Sequence, residues 1–272
     1  MRNTAAAGSF YPRYTEELEW ALKECFNIGR KNAQETDAYA GICPHAGYIY
    51  SGFAAASVFL SIKGIKDAQT VVFLGPNHTG MGVPVSLSKE DWNTPLGVCE
   101  NDKEFGEAIL RHSKMAQKDE AAHAMEHSIE VQLPFLKSLN PKARIVPICM
   151  GDQSINAARD IAEAIFLSQK ELGRKTILIA SSDFSHYVPA ETAEERDRGA
   201  ISHILKLDAE GLEEGVERNG WSICGHGPIA ASIIYSKKRG SKKAMELIYT
   251  NSGEATGDYS SVVAYCGIIF PG

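Results

Sequence analysis

Three apolar runs in this chain stop at a short turn and then present an imidazole. GIC runs into Pro44-His45-Ala46-Gly47-Tyr48, VVFLG into Pro76-Asn77-His78, and ILIASS into Asp183-Phe184-Ser185-His186. A fourth turn, SICGHGP at 222–228, offers Cys224 and His226 among glycines. EHSIE at 126–130 offers His127 and Glu130 three residues apart, a spacing that shares one helical face. Imidazole nitrogen together with thiolate sulfur suits Fe, Cu or Zn, whereas Mg and Ca favour oxygen ligands. Two histidines and one cysteine around one ion would leave positions open for a substrate, the arrangement of a catalytic rather than a structural centre. Taken singly, a loop histidine needs only a carbonyl to bond, and a lone cysteine is ordinarily a small core residue. Repetition at three strand ends, with Gly225 and Gly227 beside Cys224 implying close backbone approach, favours a site.

Other motifs compete for the same residues. His123, Glu126 and His127 spell H-x-x-E-H, the inverted zinc-protease pattern; the expectation here is a short chance match on a helix surface. GSFYP at 8–12 and GDYS at 257–260 are too polar and glycine-rich for core and are expected to wall a pocket, with Tyr48 and Tyr259 in reach of a ligand. Neither GxxxxGK[ST] nor a GxGxxG after a strand occurs, and GDYSS is not a nucleophile elbow.

Positioning these groups requires buried strands. AYAGIC at 38–43, TVVFLG at 70–75, ARIVPICM at 143–150, KTILIAS at 175–181, AMELIYT at 244–250 and VVAYCGIIF at 262–270 read as strands separated by helical stretches, the pattern of an α/β protein. In such sheets ligands collect beyond the carboxyl ends of the strands, where these histidines fall. Helices are expected at 15–26, with Leu18, Leu22 and Cys25 inward and Thr15 as cap, at 126–139 with Pro134 tolerated or kinking, and at 156–172.

The 272 residues, 44% hydrophobic, suffice for one large domain over 1–272, and no repeat or linker divides them. A net charge of −6 argues against a duplex nucleic-acid binder, which would cluster Lys and Arg. No apolar run approaches the roughly 18 residues of a membrane span, and MRNTAAAGSFYP lacks a signal-peptide core, so a soluble cytoplasmic protein is expected. The six scattered cysteines form no CxxC pair, which fits a reducing compartment; Cys43 is expected to pack.

In chain order, AAAGSFYP (5–12), PHAGYIYSG (44–52), FLGPNHTG (73–80), EHSIEVQLPFL (126–136), SSDFSHY (181–187), CGHGP (224–228) and GDYSSVVAY (257–265) resemble the Memo family, mediators of ErbB2-driven cell motility. Its prokaryotic members are described as AmmeMemoRadiSam system protein B. The resemblance implies a single α/β domain with a central, mostly buried sheet flanked by helices, similar to the class III extradiol dioxygenases. It implies His45, His78 and Cys224 as ligands of one metal ion, the cysteine standing where the dioxygenases carry a carboxylate. By the same resemblance His186 takes the place of their catalytic histidine, with Asp183 beside it. A thiolate in place of a carboxylate softens the site toward Cu(I) or Zn as well as Fe(II). The family label also implies a functional link to a radical-SAM protein and an Ammecr-like protein.

The reading that follows is a mononuclear non-haem centre, Fe(II) first with Cu or Zn as alternatives, in a redox or dioxygenase-like enzyme acting on an unidentified small molecule or peptide. In it His186 exchanges a proton with Asp183 fixing its tautomer, while His127, Glu130, Tyr48, Tyr259 and His226 contact substrate or support the ligands. Two rivals use the same cleft: a module binding a peptide or protein partner, and a Zn hydrolase. Phosphopeptide recognition, associated with animal Memo proteins, would need Arg or Lys in the site loops, which carry none.

Overall fold

The computed structural model describes residues 1–272 throughout. In chain order the elements are α1 (Thr15–Gly29), β1 (Ala38–Cys43), α2 (Tyr48–Ser61), β2 (Thr70–Pro76), β3 (Val85–Leu87), β4 (Trp92–Thr94), β5 (Gly97–Cys99), α3 (Lys103–His112), β6 (Gln117–Lys118), α4 (Leu133–Leu139), β7 (Arg144–Met150), α5 (Ile155–Leu172), β8 (Thr176–Ser181), β9 (His186–Val188), α6 (Ala190–Leu205), α7 (Ala209–Asn219), α8 (His226–Arg239), β10 (Met245–Asn251), α9 (Gly253–Thr256) and β11 (Val262–Pro271). Short 3-10 turns lie at Lys63–Asp67, Ala121–His123 and Glu130–Gln132.

Why the long strands read as unbroken apolar runs is clear from what covers them. Along β2, Val71 and Phe73 point into one apolar layer, with Leu18 and Leu22 of α1 and Phe59 of α2, while Val72 and Leu74 point into the other, with Ile161 and Ile165 of α5 and Ile229 and Ile233 of α8. Both faces of the sheet are therefore dry, and the usual polar–apolar alternation disappears. At roughly 25 cal/mol per Å2 of apolar surface removed from water, each such valine or phenylalanine contributes about 1.5–3 kcal/mol. α2 lies so close to the sheet that a Cβ at Gly267 would come within 3.0 Å of Val58 Cγ2. Small residues at Ala54, Ala55, Ala56 and Ser57 belong to the same helix, all buried.

The nine-stranded mixed sheet runs β10-β11-β1-β8-β2-β7-β3-β6, with β9 added to β11; β4 and β5 form a separate hairpin. Its centre, β1-β8-β2-β7, is all parallel, and the register aligns the carboxyl ends: Cys43 opposite Ser181, Leu74 opposite Ala180, Pro76 opposite Met150. The turns after β1, β2 and β8 consequently leave the sheet at one edge. β11 runs antiparallel to β1, and its first residues pair with β9, which brings His186 to that same edge.

All six expected strands are present, displaced by a residue at most at either end. The helical expectations need two corrections. Thr15 does not cap α1: Tyr14 holds the cap position, and Thr15 Oγ1 donates instead to the Pro95 carbonyl at 2.8 Å. The stretch 126–139 is not one helix, since regular α geometry begins only at Leu133. The Glu126 carboxylate takes up the Ser128 amide at 2.9 Å, which competes with a helical turn, and Pro134 sits in the first turn of α4, where a missing N–H is harmless. The β3 to β6 strands and β9, two or three residues each, are too short to leave a periodicity in sequence. No helix is long and apolar enough to cross a membrane.

Candidate metal centre

His45, His78 and His127 come together at the carboxyl edge, each with a ring nitrogen within 4.8 Å of the others. Their rings meet edge to face or stacked: centroids lie 5.2 Å apart for His45 and His78, 5.4 Å for His45 and His127, and 4.8 Å for His78 and His127. Two turns after parallel strands supply the first two histidines, and the turn before the 3-10 segment at 130–132 supplies the third. Gly75 permits this approach. A Cβ there would fall 2.5 Å from Ser128 Oγ and 2.8 Å from Ile129 Cγ1, so any larger residue would push the 126–129 turn off the end of β2.

Hydrogen bonds fix the neutral tautomer of two of these rings, His45 and His78. Ser181 Oγ donates its proton to the Ser128 carbonyl at 2.6 Å, so toward His45 Nδ1, 3.0 Å away, it can only accept. His45 therefore carries its proton on Nδ1 and turns the Nε2 lone pair to the cluster. Gln132 Nε2 holds the same hydroxyl at 2.9 Å and the Pro44 carbonyl at 2.8 Å, locking the turn that bears His45. For His78 the partner is Glu126, whose carboxylate accepts the His78 amide at 2.6 Å and Nδ1–H at 3.0 Å. His127 Nδ1 lies 3.5 Å from the same oxygen. One buried carboxylate thus orients His78 and lies beside His127, and orienting carboxylates of this kind are what metal-binding histidines ordinarily carry.

Burial first, then the neighbouring imidazoles His127, His78 and His186, hold His45 well below the usual histidine range, so it is neutral at physiological pH. Burial also acts to lower His78, but the hydrogen bond and charge of Glu126 outweigh it and raise the group. Glu126 answers the same way: burial works to raise it, while His78 and the amide donors bring it down to about 2. His127 is lowered, mainly by burial.

Cys224 stands beside this cluster rather than inside it. Its sulfur is 3.3 Å from His45 Nε2 and accepts the Asp183 amide at 3.2 Å. Burial, with the Asp183 carboxylate second, pushes the thiol up, so the sulfur is protonated in the absence of a cation. The glycines after it do leave room for backbone: a Cβ at Gly225 would lie 2.6 Å from the Ser181 carbonyl, and at Gly227 2.7 Å from Gln153 Cα. Asp183 is buried, accepts the His45 amide on Oδ1 at 2.8 Å and has Oδ2 3.9 Å from His45 Nε2. Burial raises it to about 6, against the pull of the His45 amide and of His186.

The remaining sequence-nominated groups scatter. His186 is at the rim, but Asp183 does not set its tautomer: Nδ1–H donates to the Ser222 carbonyl at 2.9 Å, leaving Nε2 as acceptor. Glu130 does not share a helical face with His127. It is fully buried, paired with Arg2 at 2.6 Å, and accepts the amides of Ala5 and Ala6 and the Tyr11 hydroxyl, so it anchors the amino-terminal segment. That anchoring delivers Phe10, whose ring packs tilted against His127 with centroids 4.3 Å apart; GSFYP does wall the cluster. Tyr48 is core, its hydroxyl on the Val131 carbonyl at 2.8 Å. Tyr259 is exposed and bonds Glu254, and the His226 ring bonds the Glu213 carboxylate at 3.0 Å. Nor is HAMEH a surface helix: His123 is buried, its Nε2 on the Ser86 carbonyl at 3.1 Å and its ring edge-on to Trp92. Cys43 packs in the core, fully buried.

Sequence reasoning missed Glu126, Ser181 and Gln132 as supports of the cluster. For Ser181 a signal existed, because a fully apolar strand ending in two small hydroxyl residues places them where a partner must be found. Glu126 was visible only as the middle of a protease-like motif.

Comparison with known proteins places this architecture. The chain matches the family profile described as "Memo-like protein" over residues 2–269. A MEMO1 family protein of Methanosarcina acetivorans is 45% identical over 270 residues, covering 99% of this chain and 98% of that protein. Relatives from Methanopyrus kandleri and Methanocaldococcus jannaschii are 43% and 42% identical, each over 99% of this chain and 98% of their own length. Among solved structures, an uncharacterised protein of Escherichia coli K12 shares the fold, with TM-score 0.54 at 10% identity over 85% of this chain and 98% of that one.

Proposed function

This chain belongs to the Memo family, and from that premise we propose that it is a metalloprotein holding one transition-metal ion, Fe(II) or Cu, in a redox centre for a small organic substrate. His45 and His78 would hold the ion through Nε2, with Cys224 sulfur and His127 the candidates to complete the set. The observation that carries this reading is a charge imbalance. Glu126 and Asp183 are buried carboxylates, and neither pairs with a lysine or arginine; their only ion partners are imidazoles. Buried charge without a permanent counter-ion is costly, and a cation held by the Nε2 atoms would supply the charge that a proton on His78 otherwise supplies. Neutral His45, its Nδ1–H donated to Ser181 Oγ, is already in the ligating form.

When bound, such an ion supplies Lewis acidity and one-electron chemistry. The chain's own residues supply the rest. Ser181 and Glu126 hold the His45 and His78 rings in the ligating tautomer. Cys224 would give up its proton if it ligated the ion, so binding would strengthen as pH rises. Phe10 shields the outer side of His127 from water. His186, with Nδ1–H fixed on Ser222, offers Nε2 as a proton acceptor at the rim.

Elemental analysis of protein purified without oxygen tests this, with Cys224→Ala and His78→Ala in parallel. The expected result is Fe or Cu near one per chain, lost on either substitution. Absence of metal after reloading with Fe(II), Cu(I) and Zn(II) would overturn the reading and leave the histidines as walls of a binding cleft.

A further inference from the structure

The segment that delivers Cys224 has no strand to lean on. α7 ends at Asn219 with Gly220 in the left-handed region at φ 61°, the chain then runs irregularly through Trp221, Ser222 and Ile223, and α8 opens at His226. Polar contacts tie its far half to the site: Gln153 Nε2 donates to the Cys224 carbonyl at 2.8 Å and the Gly225 amide to Ser182 Oγ at 2.9 Å. Ser222 makes a double contact with His186, its Oγ accepting the His186 amide at 3.0 Å and its carbonyl accepting Nδ1–H at 2.9 Å.

The near end is held differently. The Trp221 indole occupies a slot between α6 and α7 that exists because Gly199 and Gly215 lack side chains. A Cβ at Gly199 would lie 2.7 Å from indole Cζ2, and one at Gly215 would overlap the ring. Glycine inside a helix is destabilising relative to alanine, since it loses the most backbone freedom on folding. Two interior glycines on different helices, both facing one ring, make the ring's seat the reason for their presence.

We propose that Trp221 is a positioning residue whose wedge between α6 and α7 sets residues 221–225, and through them places Cys224 Sγ against His45 Nε2 and the Ser222 carbonyl against His186 Nδ1. The inference rests on the metal-centre reading for its consequence, since a sulfur that wanders cannot complete the ligand set. Its structural content stands on the wedge alone.

Two readouts separate these levels in the full chain. The first is alkylation of metal-free protein by iodoacetamide, resolved by residue with mass spectrometry. Cys224 is half-buried while the other five cysteines are buried, so they report global opening. Trp221→Ala and Gly215→Ala, which empties or fills the slot, should accelerate Cys224 alone by about tenfold or more, as local release of one segment does, and Trp221→Phe should stay close to wild type. Unchanged Cys224 reactivity in both variants, or equal acceleration at all six cysteines, overturns the wedge. The second readout is Co(II) loading. Wild type should show thiolate-to-cobalt absorption, and Trp221→Ala should lose it while still binding cobalt; an unchanged band refutes the positioning role. A wild type without any thiolate band would instead sink Cys224 as a ligand, and the wedge would then stand or fall by alkylation.

Discussion

Replacing Glu126 with glutamine should weaken metal binding without touching a ligand. The carboxylate accepts the His78 amide at 2.6 Å, His78 Nδ1–H at 3.0 Å and the Ser128 amide at 2.9 Å, and it is fully buried. Glutamine keeps the shape but turns one oxygen into a donor, so at least one of these N–H groups would face another N–H. A hydrogen bond to a buried charge is worth about 1.5–3 kcal/mol, and that is the expected loss of stability in the metal-free protein. His78 can relieve the clash by moving its proton to Nε2, but this removes the lone pair aimed at the cluster. Loss of such an orienting partner lowers metal affinity by about 10–100-fold, or about 1.4–2.7 kcal/mol. Competitive titration of Zn(II) or Co(II) against a chelator would measure this. Long-range proton–nitrogen NMR of the imidazoles would show the tautomer directly: Nδ1–H for His78 in wild type, a shifted population in the variant. A folded Glu126→Gln protein that binds metal as tightly as wild type would refute the orienting role, as would a wild-type His78 that, when neutral and metal-free, carries its proton on Nε2 rather than Nδ1.

The structure makes two further predictions about stability. His123 is buried with its acid–base equilibrium lowered to about 4, so it stays neutral in the fold while the unfolded chain takes up a proton below about 6.5. Stability should therefore fall as pH drops from about 6.5 toward 4, and the advantage of wild type over His123→Gln should shrink by about 2 kcal/mol between pH 7 and 4.5; urea unfolding at both values checks it, with the opposing contribution of Asp183 common to both proteins. Gly75→Ala should cost about 1–3 kcal/mol by overpacking against Ser128 and Ile129 and should weaken metal binding in parallel, because the displaced turn carries both Glu126 and His127; unchanged affinity would show that the turn does not position the site.

Much of the fold is legible in the sequence because its physics is one-dimensional. A strand dry on both faces must be a continuous apolar run, and a parallel sheet puts the residues after such runs at one edge, so His45, His78 and Asp183 could be grouped without coordinates. Sheet order, the antiparallel flank β11 and the short strands depend on partners distant in sequence and leave no local mark. The region 121–130 departs from its helical expectation for a related reason: its helical spacing is real, but the turn is built by the Glu126 side chain and by Arg2, which donates to the His123 and Glu126 carbonyls from the amino-terminal segment.

Glu126 and Glu130 show most sharply what sequence could not supply. They sit four residues apart and are equally buried, yet the sequence reading nominates Glu130 as a site group and Glu126 only within the H-x-x-E-H motif. Glu130 meets a guanidinium at 2.6 Å and three further donors, so its charge is balanced within the fold. Glu126 meets only amides and imidazoles, with the nearest contacts from His78. The first carboxylate is complete as it stands and has nothing left to bind. The second is balanced when His78, which it raises, takes a proton, or when the site takes a cation that displaces that proton from Nε2. What separates the two carboxylates is the identity of the counter-charge, and Arg2 lies 128 residues away from the glutamate it neutralises.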